Sequence, residues 1–222
     1  MFAASDFLDL QHCAHSDLFA DCACVWDVLK KLRLYFQKHS FGCSGSFTCV
    51  GHPYIAPDVI IGDGTVVEEG AMILGPAVIG ERCQIRHGAY IRDHVLIGDD
   101  CVIGNACEVK HSILFDGCEV PHFNYVGDSI LGFKAHLGAG VKLSNVKLKQ
   151  ESIRVRAQGK EIETGLEKFG AVVGDFAQIG CNAVLNPGSL IGRHSRIYPC
   201  VNWRGFLPSD KIVKENQIFD LL

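Results

Sequence analysis

Between Glu108 and His136 the chain gathers groups able to move protons or hold anions: Glu108, Lys110, His111, His122, Asn124, Tyr125, Asp128 and His136. His122 follows Val120-Pro121 and precedes Phe123-Asn124-Tyr125. An imidazole titrates near neutrality and can accept a proton there. A lone strand histidine is as readily structural, and 10 histidines give coincidence many chances. Arg92 and Lys110 are 18 positions apart, and each directly follows an aliphatic residue, Ile91 and Val109. In a chain that coils on that period the two cations stack on one face. Stacked like charges repel unless an anion lies between or beside them. Phosphate suits the place, because Arg holds it bidentately and Lys as a point charge. Two solvated surface cations explain the spacing equally well. The cluster reads as acid–base chemistry on a small anionic substrate.

The elements that position these groups follow a period of six. From Ile55 an aliphatic residue returns at every sixth position through Ile61, Val67, Ile73, Ile79, Ile85, Ile91, Ile97 and Ile103 to Val109. A second run is Val173, Ile179, Leu185, Ile191 and Ile197. Neither an amphipathic helix nor a half-buried strand has that period. A chain that turns a corner every six residues and points one aliphatic inward at each face does. Four positions after each aliphatic stands a small or β-branched residue, such as Thr65, Ala71, Ala77, Cys83, Ala89 or Cys101, compact enough for a tight corner. Three hexads make one coil of a triangular prism, so residues 18 apart share a face. The expected fold is all-β, a parallel β-helix of hexapeptide repeats.

The register slips between Val109 and Leu143. The inward series becomes Leu114, Val120, Val126, Leu131, Leu137 and Leu143, with two steps of five among the sixes. Breaks in a strict repeat often mark function. Residues 1–45 lack the repeat and read as an N-terminal helical cap of two helices packed on the first coil. Val25, Trp26, Leu29, Leu32 and Phe36 fall at helical spacing in the second. Gly42 to Ser46 reads as a short hinge without the G-K-[ST] of a phosphate loop. The β-helix spans 46–205. It is interrupted at about 145–170 by a protruding β-hairpin, in which Ser152-Ile-Arg-Val-Arg and Gln158-Gly159-Lys-Glu-Ile-Glu are the strands. From Lys142 to Lys168 this stretch is basic. It is either a solvated hairpin or a flap that reaches a neighbouring subunit or an anionic substrate. Residues 206–222 read as a C-terminal tail, with Trp203 and Phe206 closing the core.

Composition narrows the class. With 222 residues, 48% hydrophobic, and a net charge of -4, nothing draws the chain to nucleic acid or an anionic membrane. No apolar run is long enough to span a bilayer, and the start carries Asp6 and Asp9 rather than basic residues. A soluble cytoplasmic protein is expected. The 11 cysteines include no C-x-x-C pair, and Cys83, Cys101, Cys107 and Cys118 fall on small inward positions. They read as buried, reduced thiols. His12-Cys13-x-His15 with Cys22-x-Cys24 is a weak metal reading, since its spacing matches no common zinc pattern.

The stretch Glu108-Val-Lys110 to His122-Phe-Asn-Tyr125-Val-Gly-Asp128, followed by Leu137-Gly-Ala139-Gly140 and Asn145, resembles a known family. This is the acetyltransferase half of the bifunctional N-acetylglucosamine-1-phosphate uridylyltransferase / glucosamine-1-phosphate N-acetyltransferase. The stretch from Thr164 through Cys181 to Gly188 resembles related sugar-1-phosphate nucleotidylyltransferases. The similarity covers roughly residues 50–200, and the H-x-x-Y-[LV]-G-D and [IL]-G-A-G blocks carry it. The resemblance implies a left-handed helix and a homotrimer with active sites in grooves between subunits. It also implies a role in UDP-N-acetylglucosamine and cell-envelope synthesis. By position, His122 is the general base toward the sugar amine and Glu108 a carboxylate near it. Arg92 and Lys110 hold the sugar phosphate, while Tyr125, His136 and Asn145 contact the substrate. Acetyl-CoA is the co-substrate, bound through Ala139, Gly140 and Cys181, with a backbone N–H of the Gly138–Gly140 turn as oxyanion donor. No metal is required.

This chain departs from the family at three places. His136 stands where the family has Asn, Cys181 where it has Ser, and Lys168 is the nearest residue to the family's later phosphate lysine. No G-x-G-T-x-x-R segment follows an N-terminal strand, so nucleotidyl transfer is not expected. The resulting expectation is an acetyl-CoA-dependent N-acetyltransferase on a hexosamine 1-phosphate, glucosamine 1-phosphate first. The alternatives are an acyltransferase with another amino-sugar or nucleotide-sugar acceptor, a catalytically inactive sugar-phosphate-binding trimer, and, more remotely, a β-helical zinc hydratase.

Overall fold

The computed structural model of the protein describes residues 2–38, 44–149, 151–157, 159–215 and 217–220. Part of the Gly42–Ser46 hinge lies outside these. The chain folds as the expected left-handed parallel β-helix of about 9 turns. Every coil contributes one short strand to each of three parallel sheets. Face A runs from Thr48–Val50 through Val102–Asn105 and Glu119–His122 to His136–Leu137, Gln178–Ile179 and beyond. Face B includes Tyr90–Ile91, Glu108–Lys110, Tyr125–Gly127 and Lys142–Leu143. Face C includes Ala77–Ile79, Val95–Ile97, Ser112–Leu114, Ile130–Leu131 and Ala171–Val173. The aliphatics of the six-residue series and the small corner residues fill the prism as one buried stack, from Ile61 to Val213. Burying one such aliphatic contributes about 1.5–3 kcal/mol, and each coil adds one from every face.

Regular coils repeat on 18 residues, as in Tyr90↔Glu108 and Ile85↔Ile103. At the slip the repeat falls to 17: Ile103 pairs with Val120, Val109 with Val126 and, on face C, Ile97 with Leu114. The missing residue comes out of the B-to-C corner. Asp93 and His94 both lie between Arg92 and face C, whereas only His111 separates Lys110 from Ser112. His111 and Asp128 turn these shortened corners with φ of 43° and 48°, in the left-handed region that Asn, Asp and His enter most easily.

Two expectations are corrected. First, the N-terminal segment does not cover the open first coil. Its leading part forms three 3-10 turns, Ala4–Asp6, Leu10–His12 and Ser16–Phe19, followed by one α-helix, α1, Asp27–Lys38. The first stretch lacks helical periodicity, and Asp9 closes a turn by accepting from the Gln11 N–H. These elements lie along the flank of face C. There Phe7, Phe19, Trp26, Leu29 and Leu32 pack on the outward column Leu96, Ile113, Ile130, Val172 and Leu190. Phe2 meets Phe206 near one end of the prism, and Phe36 meets His94 several coils away. The expected hairpin, Arg154–Ala157 with Lys160–Glu163, leaves the coil as an antiparallel pair. At its base and along one strand, Ile153, Val155 and Ala157 are buried in the same flank cluster. Second, the chain beyond 205 is not a tail. Phe206–Leu207 and Lys211–Lys214 continue faces C and A, and Gln217–Asp220 folds back antiparallel on the last strand. Trp203 packs against the coil core and Phe206 on the flank.

Candidate active site

Face B builds an ionic ladder from alternation alone. Val109 and Val126 point inward, so their neighbours Glu108, Lys110 and Tyr125 point out. Arg92 follows Ile91, which pairs with Val109, and this register puts Arg92 next to Lys110 one coil on. The expected stacking of the two cations is therefore present. The anions beside them are the protein's own. Arg92 Nη1 donates to Glu108 Oε1 at 2.9 Å, and Lys110 Nζ lies 3.0 Å from Asp128 Oδ2. The Glu108 carboxylate holds the Arg92 guanidinium above its ordinary value. The two pairs differ in setting. Arg92 and Glu108 are 38% and 35% exposed, Lys110 and Asp128 only 14% and 7%.

Asp128 is the hub of this face. Its Oδ2 also accepts a short hydrogen bond from Asn145 Nδ2, and its Oδ1 lies 3.0 Å from His111 Nδ1. That last approach is too bent for a hydrogen bond, so it is a close packing contact. Burial pushes the Asp128 carboxyl up, but His111, Asn145 and Lys110 outweigh burial and hold it below the usual range. The Tyr125 hydroxyl donates to Asn145 Oδ1 at 3.4 Å. Burial, then Glu108 and Asp128, push that phenol up. Arg92, Glu108, Lys110, Tyr125 and Asn145 thus converge as expected. Asp128 and His111 join them. The sequence contained their signal in the slipped register, which shortens the corners they occupy.

The other expected residues lie round the A-to-B corner. His122 ends the face A strand Glu119–His122, with its side chain exposed, and Phe123-Asn124 turn the chain to Tyr125. Asn124 is buried and fixes the turn. Its Oδ1 accepts from the His122 N–H at 3.0 Å, and its Nδ2 donates to Gly138 O at 2.6 Å. His122 and Ala139 occupy successive coils of this corner, with Gly140 N–H donating to His122 O at 2.9 Å. Asn182 N–H donates to Ala139 O at 2.8 Å, which brings Cys181 next in the column. Gly140 adopts φ of 76°, and a Cβ there would meet Asn182 Oδ1 at 2.2 Å, so this turn is glycine on two counts. Among the described residues the Ala139 N–H has no acceptor, as an oxyanion donor requires.

Two expected residues stand apart. His136 lies on face A with Nδ1 2.7 Å from Glu119 Oε2, turned from the face B ladder. Lys168 lines an open cleft of about 620 Å³ at the hairpin base with Lys147, Lys149, Glu151 and Glu167. The cleft borders the ladder, because Phe169 N–H donates to Asn145 O at 3.0 Å. The weak N-terminal metal reading finds its histidines in ring contacts instead. His12 stacks on Phe133 at 3.5 Å and His15 meets Tyr35 edge-on.

Residues 73–160, which contain this ladder, match the family model described as the GMPPB C-terminal domain. A bifunctional sugar-1-phosphate nucleotidylyltransferase/acetyltransferase of Sulfurisphaera tokodaii is 38% identical over 92 residues, 41% of this chain and 23% of that one. A bifunctional protein GlmU of Methanococcus maripaludis strain C7 is 34% identical over 197 residues, 77% of this chain and 48% of the relative. An uncharacterized acetyltransferase, YaiX, of Escherichia coli O6:K15:H31 is 33% identical over 154 residues, 69% of this chain and 67% of the relative. This chain belongs to the hexapeptide-repeat acetyltransferases.

The UDP-N-acetylglucosamine acyltransferase of Campylobacter jejuni shares the fold, with a TM-score of 0.64 at 16% identity, over 79% of this chain and 68% of that one. The acetyltransferase described here spans about a quarter to a half of the length of the bifunctional relatives it matches. No helix among its described residues is long and apolar enough to cross a membrane. On adjoining faces the chain carries a paired-cation ladder and a corner where exposed His122 and Ala139 occupy successive coils.

Proposed function

We propose that the enzyme transfers the acetyl group of acetyl-CoA to the amine of a hexosamine 1-phosphate, with glucosamine 1-phosphate the first candidate. The observation that carries this reading is the join of two half-sites. The stacked Arg92 and Lys110, with Tyr125 and Asn145, suit a phosphorylated sugar, and the His122–Ala139–Cys181 column suits a thioester. In this reading the sugar amine attacks the thioester carbonyl as His122 takes one of its N–H protons. The Ala139 N–H receives the oxyanion, and collapse of the tetrahedral intermediate breaks the C–S bond and expels CoA, whose thiolate takes that proton from His122. Gly140 and Cys181 line the coenzyme side. His122 and the face B cations lie on either side of a corner, which favours a homotrimer whose subunit grooves join the two. The enzyme would draw on cytoplasmic acetyl-CoA. Glu108 sits on Arg92 and would be released to the His122 side when phosphate takes the guanidinium.

The test is CoA thiol release with and without glucosamine 1-phosphate. Acceptor-dependent release that falls about 10²–10⁴-fold in His122→Ala is expected. No acceptor dependence, or no fall in the variant, overturns the reading. One observation favours a second reading: His136, where the family has Asn, is held by Glu119 away from the ladder. A different amino-sugar or nucleotide-sugar acceptor would then fit, and a screen of such acceptors under the same assay separates the two.

A further inference from the structure

The two carboxylates facing the cation ladder are built differently. Glu108 is a half-exposed partner that solvent or ligand can displace from Arg92. Asp128 is 7% exposed, turns a shortened corner, and on one oxygen pairs with the Lys110 ammonium and accepts from Asn145 while His111 abuts the other. The backbone fixes it as well. Asp128 N–H donates to Lys110 O at 3.1 Å, and Gly170 N–H donates to Asp128 O at 2.9 Å, tying the corner to the hairpin's return. A lysine ammonium on four rotatable bonds has no preferred aim of its own. The 3.0 Å ion pair with a buried carboxylate fixes where that ammonium sits on face B, one coil on from Arg92. The side-chain amide of Asn145 is oriented by the same oxygen, with its carbonyl turned to the Tyr125 hydroxyl.

We propose that Asp128 is a positioning residue of the acceptor site, aiming the Lys110 ammonium and the Asn145 amide at the sugar phosphate while cancelling the charge of Lys110. This rests on the acceptor reading above. The anion is then recognised by oriented donors rather than by surplus positive charge. Acceptors would be selected by the placement of their phosphate, and loose anions would be held poorly. Asp128 touches no reacting atom and acts only through its neighbours.

The experiment is a double-mutant cycle on the full chain with Lys110→Ala and Asp128→Asn. Asn tolerates the left-handed corner, and Asp128→Gly serves if that variant does not fold. Asp128→Asn is expected to raise the KM for glucosamine 1-phosphate about tenfold or more, with kcat and the KM for acetyl-CoA little changed. In the Lys110→Ala background the same substitution is expected to add far less. Full additivity, or an acceptor KM that stays level or falls, overturns the proposal. A ligand-free readout runs alongside. Trace acetylation of lysines by acetic anhydride, read by mass spectrometry, should rise several-fold at Lys110 in Asp128→Asn and not at Lys214. Unchanged labelling at Lys110 refutes the positioning directly. If the wild type turns over no phosphorylated amino sugar, the acceptor reading fails, and the labelling still decides whether Asp128 places Lys110.

Discussion

Gly104→Ala tests how tightly the coil stack holds the corner that carries His122. Gly104 lies on face A directly beneath Pro121, because Ile103 pairs with Val120 and Asn105 with His122. A Cβ at Gly104 would stand 1.6 Å from Pro121 O and 2.2 Å from its carbonyl carbon. Real Cβ contacts stay beyond 3.0 Å, so Pro121 must retreat by at least about 1.4 Å. That carbonyl belongs to the peptide bond of His122, so the imidazole moves with it. A misplacement of about 1 Å can cost about 10²-fold in rate, and overpacking a backbone contact costs about 1–3 kcal/mol in stability. Gly62→Ala is the control. Its Cβ would also meet backbone, Gly80 and Glu81 at 2.6–2.7 Å, a smaller overlap at a C-to-A corner of an early coil. Both variants should lower the thermal midpoint. Only Gly104→Ala should lower the rate of acetyl-CoA turnover, by about 10²-fold, measured well below either midpoint. Equal activity in the two variants would refute the claim that corner geometry sets the base, even if both are destabilised.

Two other outcomes follow from the packing and the charge network. Trp26 is 1% exposed and packs against Phe2 and Phe169, so Trp26→Ala should cost about 3–5 kcal/mol by urea denaturation while leaving KM values unchanged in the folded fraction. Asp128 is held below its ordinary value, so the native state binds fewer protons than the unfolded chain. The stability from this group is present above about pH 4 and is lost as pH falls through the folded value. The difference in urea midpoint between wild type and Asp128→Asn should therefore be full at pH 6 and shrink toward pH 3. A gap that widens on acidification contradicts that assignment.

Much of the prism was legible because each coil repeats one demand: an aliphatic inside and a compact residue at the corner. That rule also predicted the stacking of Arg92 on Lys110. It could not say what neutralises them. Glu108 reaches Arg92 across two strands in regular register, whereas Asp128 reaches Lys110 from a corner one residue shorter than the regular one, a detail that shows only as a slipped step. The flank was readable but easy to miss. The strands of face C carry an apolar residue outward as well as inward, as in Ala77-Val78-Ile79, Val95-Leu96-Ile97 and Ser189-Leu190-Ile191, whereas face A turns Gln84, Glu119 and Gln178 to solvent. A face apolar on both sides must be covered, and the N-terminal segment and the hairpin cover it. His136 escaped the expected cluster because its place on face A depends on which side of a corner the strand falls.

A stack of coils joined only to their neighbours can fray from either end, one layer at a time. Here the first residues of the chain reach Phe206 and α1 ends beside His94, so one continuous strip of side chains ties distant layers together like a splint. Unzipping any layer beneath it means lifting the strip from all of them. Such a rod should melt in a single cooperative step, and cutting the strip away should turn that step into a gradual one.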